Sequence, residues 1–158
     1  MTTAVETQAT HAAPQGAPSI ATKRSIAILG MFSLSWFVVN FVSFTMVAVA
    51  PMDFLASRYT SEQLRFLIDL PTWSLLISGL SIGFGLVASV AMIFRRQEAY
   101  FAYMLSLLMA IAHLFDAVGR GSMVVMSAGD AASSVMILLF SLFLFWASYD
   151  ARRQGHLI

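Results

Sequence analysis

Residues 99–120 read AYFAYMLSLLMAIAHLFDAVGR, an apolar run that ends with His113, Asp116 and Arg120. Wound as an α-helix at about 1.5 Å per residue, such a run spans the roughly 30 Å hydrocarbon core of a bilayer. At about 100° per residue, Ser106, Met109, His113, Asp116 and Arg120 fall within roughly a quarter-turn of one another. A helix that is apolar except for one polar stripe turns that stripe towards other helices and away from lipid. The run therefore predicts a membrane crossing packed inside a helical bundle.

Composition agrees. Apolar residues make up 59% of the chain and charged residues 11%, against about 45–50% and about 25% in soluble domains. This is the membrane class. A formal charge of +1 and no basic cluster beyond two residues argue against a nucleic-acid partner. With no cysteine, the chain has no disulfides, thiolate metal sites or cysteine nucleophiles.

Working outward from the opening run, a second crossing over about 72–94 precedes it and stops at Arg95-Arg96. Only Gln97 and Glu98 intervene, which makes these two crossings an antiparallel hairpin. An apolar run over about 26–50 follows Lys23 and Arg24. Ala48-Val49-Ala50 resembles a signal-peptide cleavage site, but the run far exceeds an h-region of about 7–15 residues and Pro51 follows at once. It reads as a retained first crossing. A fourth crossing covers about 131–149, with Asp130 placed as its N-cap. Residues 1–22, rich in alanine, threonine, proline and glutamine, predict a disordered tail, and 154–158 a short C-terminal one. The domain is 23–153.

Residues 51–72 are a polar connection. Thr60 and Gln63 form a capping-box pattern, with Leu64, Leu67 and Ile68 on one face beyond it. They predict a short amphipathic helix in the first outer loop, lying on the membrane surface or folded over the bundle mouth. Orientation follows from charge. Lys23, Arg24, Arg95, Arg96, Arg152 and Arg153 lie on one side, and Arg58, Arg65 and Arg120 on the other. This bias places both termini in the cytoplasm, with Tyr100, Tyr103, Trp146 and Tyr149 in the inner aromatic belt.

Each crossing carries a small or polar stripe. Ser33, Trp36, Asn40 and Ser43 share a face of the first. Ser74, Ser78, Ser81, Gly85 and Ser89 share one of the second, beside Gly79-x-x-x-Gly83. Ser134, Ser141 and Ser148 repeat along the fourth. Small residues admit close helix approach in lipid, and serines hydrogen-bond across helices. These stripes predict a four-helix bundle with tight seams, and the GxxxG also suits a surface for a second copy or another subunit.

Asn40 and His113 each lie roughly 20–25 Å from the cytoplasmic ends of their helices, so they can meet. One reading is a polar cluster of Asn40, His113 and Asp116 that binds a small polar solute or passes protons, since histidine titrates near neutral pH. The other is an Asp116–Arg120 ion pair at i, i+4, with His113 bonded to Asn40 or a serine. Haem ligation by two histidines lacks its second intramembrane histidine, and zinc lacks converging ligands. No cofactor and no catalytic set is expected.

Leu70-Pro71-Thr72-Trp73 opens the second crossing, a Gly/Ser-rich helix follows, and Phe94-Arg95-Arg96-Gln97-Glu98-Ala99 makes the turn. With Leu105-Ser106-Leu107 and the basic end after Trp146, these features carry a resemblance. From Leu70 onward the chain resembles a group of small four-helix bacterial membrane proteins of unknown function that are often labelled sugar transporters. His113, Asp116 and the alanine-rich tail lie outside that pattern. The resemblance implies a bacterial inner-membrane protein. The expected function is small-solute transport as an oligomer, built on the glycine-bearing helix. The alternative is a non-catalytic accessory subunit or assembly factor of a larger membrane complex.

Overall fold

The computed structural model describes residues 20–121, 125 and 128–157. Among them the chain forms six α-helices: α1 (Ile20–Val49), α2 (Met52–Arg58), α3 (Ser61–Ile68), α4 (Thr72–Ile93), α5 (Glu98–Gly119) and α6 (Ala128–Arg153). Of these, α1, α4, α5 and α6 are long and apolar enough to cross a membrane. α1 begins within the segment that composition assigns to a tail; the tail's first 19 residues lie outside the described ones. Asp130 falls inside α6 and does not precede it.

The packing order is α1 on α4, α4 on α5 and α5 on α6. Two glycines set the first of these contacts. A Cβ at Gly85 would collide with the Phe37 ring, and one at Gly30 would stand 2.9 Å from Ile93 Cγ1. Absent side chains let the helices approach closely enough to bring polar groups into hydrogen-bond range. There the Ser33 hydroxyl lies 2.7 Å from that of Ser89 and 2.8 Å from that of Tyr103, joining α1, α4 and α5. All three residues are buried. Tyr103 thus leaves the inner aromatic belt that its position along the chain suggests: its azimuth on α5 turns it inward.

Phe37, Met92, Leu144 and Tyr103 fill the bundle around this hydroxyl cluster. α1 and α6 meet through rings, with Trp36 4.9 Å and Phe32 5.7 Å from Phe140 between centroids. Ser141 and Ser148 of α6 serve differently from the serines of α4. Ser148 donates to Phe145 O of its own helix at 2.8 Å, and buried Ser141 has no partner. What Ser141 contributes is small size.

One end of the molecule is locked by residues 154–157. Gly155, at φ +70°, reverses the backbone after α6, and His156 N–H donates to Ala151 O at 2.9 Å. Arg95, held at φ 58°, donates from Nε and Nη2 to His156 O at 3.1 and 2.7 Å. Leu157 then packs into the same core as Ile26, Met92 and Ala99. The 154–157 segment is therefore a packed element. A left-handed residue other than glycine costs about 1–3 kcal/mol, and the two bonds made by Arg95 offset it.

Tyr103 tests this packing. Tyr103→Phe keeps the ring and loses the hydroxyl, for an expected cost of about 0.5–1.5 kcal/mol. Tyr103→Ala empties a buried aromatic site and should cost about 3–5 kcal/mol. Unfolding in mixed detergent reads both; equal losses would place the ring outside the core.

Candidate functional site

The site grows out of the seam between α4 and α5. Ser74, Ser78, Ser81 and Ser89 recur at helical spacing along α4, and each finds a partner on α5. The Ser74 hydroxyl donates to Asp116 Oδ2 at 2.6 Å. The Ser78 hydroxyl lies 2.8 Å from His113 Nδ1. Ser81 donates to Ser106 O at 3.0 Å, and Ser106 returns a bond to Ser81 O at 2.7 Å. Tyr103 closes the ladder on Ser89 at 3.4 Å. The partners run in opposite order along the two helices, as a hairpin requires.

Beside this ladder, at Ser78, Ser81 and His113, the four long helices part around a cavity of about 310 Å³. Asn40 and Phe44 of α1, Ser78 of α4, His113 of α5 and Ser134 of α6 are on its wall. A second cavity of about 280 Å³ adjoins it, lined by Ser74, Asp116 and Arg120 and roofed by Tyr59, Phe66 and Leu67 from the α2–α3 segment. Val47, Leu70, His113 and Ser134 line both. His113 is therefore the titratable residue that faces both. Around Ser33 and Phe37 the bundle is closely packed, and beyond them a smaller cavity of about 210 Å³ lies between Ile26, Met92 and Ala151 at the other end.

α3 is held over this mouth by its own sequence. Gln63 N–H donates to Thr60 Oγ1 at 3.3 Å and Thr60 N–H to Gln63 Oε1 at 3.1 Å. The capping box starts the helix at Ser61, and Phe66 and Leu67 further along it line the second cavity. Gln63 Nε2 also reaches Val125 O at 3.4 Å, tying α3 to the connection between α5 and α6.

The structure divides the residues singled out in the sequence. Asn40 and His113 share a cavity, but Asn40 Nδ2 donates to Trp36 O of its own helix at 2.8 Å, and His113 takes Ser78. Asp116 is engaged by Arg120 Nε at 2.6 Å and by Ser74, so its carboxylate is spent on those two groups and makes no hydrogen bond to the His113 ring. The Arg120 guanidinium also lies 5.3 Å from the Trp73 ring centroid, a cation–π distance. His113 Nε2 has no hydrogen-bond partner among the described residues, and Asn40 Oδ1 is likewise uncommitted. The cavity thus presents one imidazole nitrogen and one amide oxygen within an otherwise mostly apolar wall.

Of the small residues, Ser78 and Ser81 bond to α5, and Gly85 admits Phe37. A Cβ on Gly79 would touch only the Phe44 ring at 3.4 Å, and Gly83 has nothing within 4 Å. Gly30 is the contributor that sequence reading passed over, and Tyr103 the one it placed in the aromatic belt. Gly30 belongs to no motif, and no local signal marked it. Among the described residues no group of three His, Cys, Asp or Glu converges as a metal site would require.

A helical fold with four membrane-length helices and an internal polar site defines a multi-pass integral membrane protein. No family model, no curated protein and no solved structure matches the chain.

Proposed function

We propose that this protein carries a small, neutral, hydrogen-bonding solute across a bacterial inner membrane, acting as an oligomer and without covalent catalysis. The observation that supports the reading is the chamber at His113: a cavity lined by all four membrane-length helices, with an imidazole Nε2 that has no partner among the described residues. Its size, about 310 Å³, is at the lower end of ligand sites of about 300–1,000 Å³. Neutral cargo follows from the pairing of Asp116 with Arg120, which leaves no unbalanced charge at the mouth.

A solute fits better than a proton path. Ser81 and Ser106 donate their hydroxyls to backbone carbonyls, so a proton passing along the ladder would have to break both bonds. In this reading the bundle is antiparallel, with the basic residues Arg24, Arg95, Arg96, Arg152 and Arg153 and both termini in the cytoplasm. The α2–α3 segment then covers the chamber from outside. A chamber closed at its inner half transports only by rearranging, and the open space at Gly83 gives a second copy a face to pack on. The resemblance to four-helix proteins labelled as transporters points the same way.

Proteoliposomes loaded with a panel of neutral polyols and small amides test this. His113→Ala should weaken transport of the accepted solute about ten-fold, the worth of one buried hydrogen bond. Leu114→Trp, which fills the cavity, should abolish it while the protein still folds. A wild type that moves none of the panel, or rates indifferent to both substitutions, would sink the idea.

A further inference from the structure

A second concavity lies on the side of α1 that faces away from the bundle. Phe41, Val42, Met46 and Val49 form an exposed stripe there. α2 folds back beside it, so that Pro51 and Phe54 wall a groove of about 470 Å³. The groove shares no lining residue with the chamber at His113. Its surface is apolar apart from Thr45, whose hydroxyl is already given to Phe41 O at 2.8 Å. Nothing in it asks for a polar partner.

The polar group is at its edge. The Arg58 guanidinium stands 5.0 Å from the centroid of the Phe54 ring that lines the groove. Arg65 has Asp69 at 4.0 Å and Arg120 has Asp116 at 2.6 Å. Arg58 makes no ion pair among the described residues, and Asp53 on the same helix does not reach it within ion-pair distance. An apolar trough ending at an unpaired cation, at the end of a membrane-length helix, has the chemistry of a lipid: chain along the trough, phosphate at the guanidinium.

We propose that this groove is a phospholipid site, with one acyl chain along Val42 and Met46 and the phosphate on Arg58. The size of the groove favours a chain over a protein helix. A second helix is about 10–12 Å across with its side chains and would have to displace α2.

The test uses the full chain in mild detergent, with native mass spectrometry of lipid retention. The probes are palmitoyl-oleoyl phosphatidylglycerol and the diacylglycerol with the same chains. Wild type should retain one phosphatidylglycerol in preference to the diacylglycerol. Arg58→Ala, an exposed change that leaves the fold intact, should lower phosphatidylglycerol retention about five-fold and leave the diacylglycerol unchanged. Met46→Trp should lower both, and Arg65→Ala neither. Equal retention of the two lipids by wild type, or an Arg58→Ala protein that holds phosphatidylglycerol as well as wild type, would overturn the proposal. So would a lipid-free dimer that cross-links through Val42.

Discussion

Gly85→Leu should destabilise the protein by about 3 kcal/mol, at the upper end of the range for overpacking a filled core. The side chain would enter the space held by the Phe37 ring, which is 2% exposed and has no room to rotate away. α1 must then move off α4. Moving it stretches the 2.7 and 2.8 Å contacts of Ser33 with Ser89 and Tyr103, each worth about 0.6 kcal/mol in a membrane. Exchanging glycine for leucine within a helix returns at most about 1 kcal/mol, so the steric term wins. Gly83→Leu is the control. With nothing within 4 Å of its Cβ position, it should be neutral or slightly stabilising in the monomer. Equilibrium unfolding in mixed detergent reads both. Adding Phe37→Ala to Gly85→Leu should recover part of the loss, and a coupling between the two near zero would refute the close approach.

Asp116→Ala should cost about 2–3 kcal/mol. It strips the acceptor from two donors at once, Arg120 Nε and Ser74 Oγ, both at 2.6 Å. Removing one partner of a fully buried pair costs about 3–5 kcal/mol; the value here is lower because the Arg120 side chain is 24% exposed and keeps its contact with Trp73. Arg120→Ala should cost a similar amount, since it leaves a carboxylate that is 7% exposed with only Ser74. The double variant is the informative one. With both charges gone, no unpaired ion remains at the mouth, and the protein should be more stable than with Asp116→Ala alone. A double variant that loses as much as the two singles combined would show that the pair is not coupled.

These two residues also mark how far the sequence can be read. Asp116 and Arg120 form an ion pair because their i, i+4 spacing is a local property of one helix, and local geometry follows from residue order. The capping box of Thr60 and Gln63 was legible for the same reason. The serine face of α4 was legible as a face: spacing of three and four puts Ser74, Ser78, Ser81 and Ser89 on one side whatever they meet. What they meet was not legible. His113 and Asn40 are at matching depth, yet His113 bonds Ser78, because depth along a helix says nothing about rotation around it. Tyr103 shows the same gap, since the same depth reading placed it at an interface while its azimuth buries it against Ser33. Gly79 and Gly83 looked like the packing motif of α4, but the tight contacts fall at Gly85 and at Gly30.

The sequence by itself determined that four apolar helices form, where the polar residues lie along them, and that α4 and α5 are joined by a short turn. Each follows from hydropathy and from hydrogen bonding within one helix, which need no neighbour. Only the tertiary structure decided that the chain holds a chamber at His113, that Phe66 and Leu67 of α3 line the cavity adjoining it, and that Leu157 returns to the core. Those depend on helix rotation and on which small residues allow contact, and these are fixed by van der Waals fit between segments far apart in the chain.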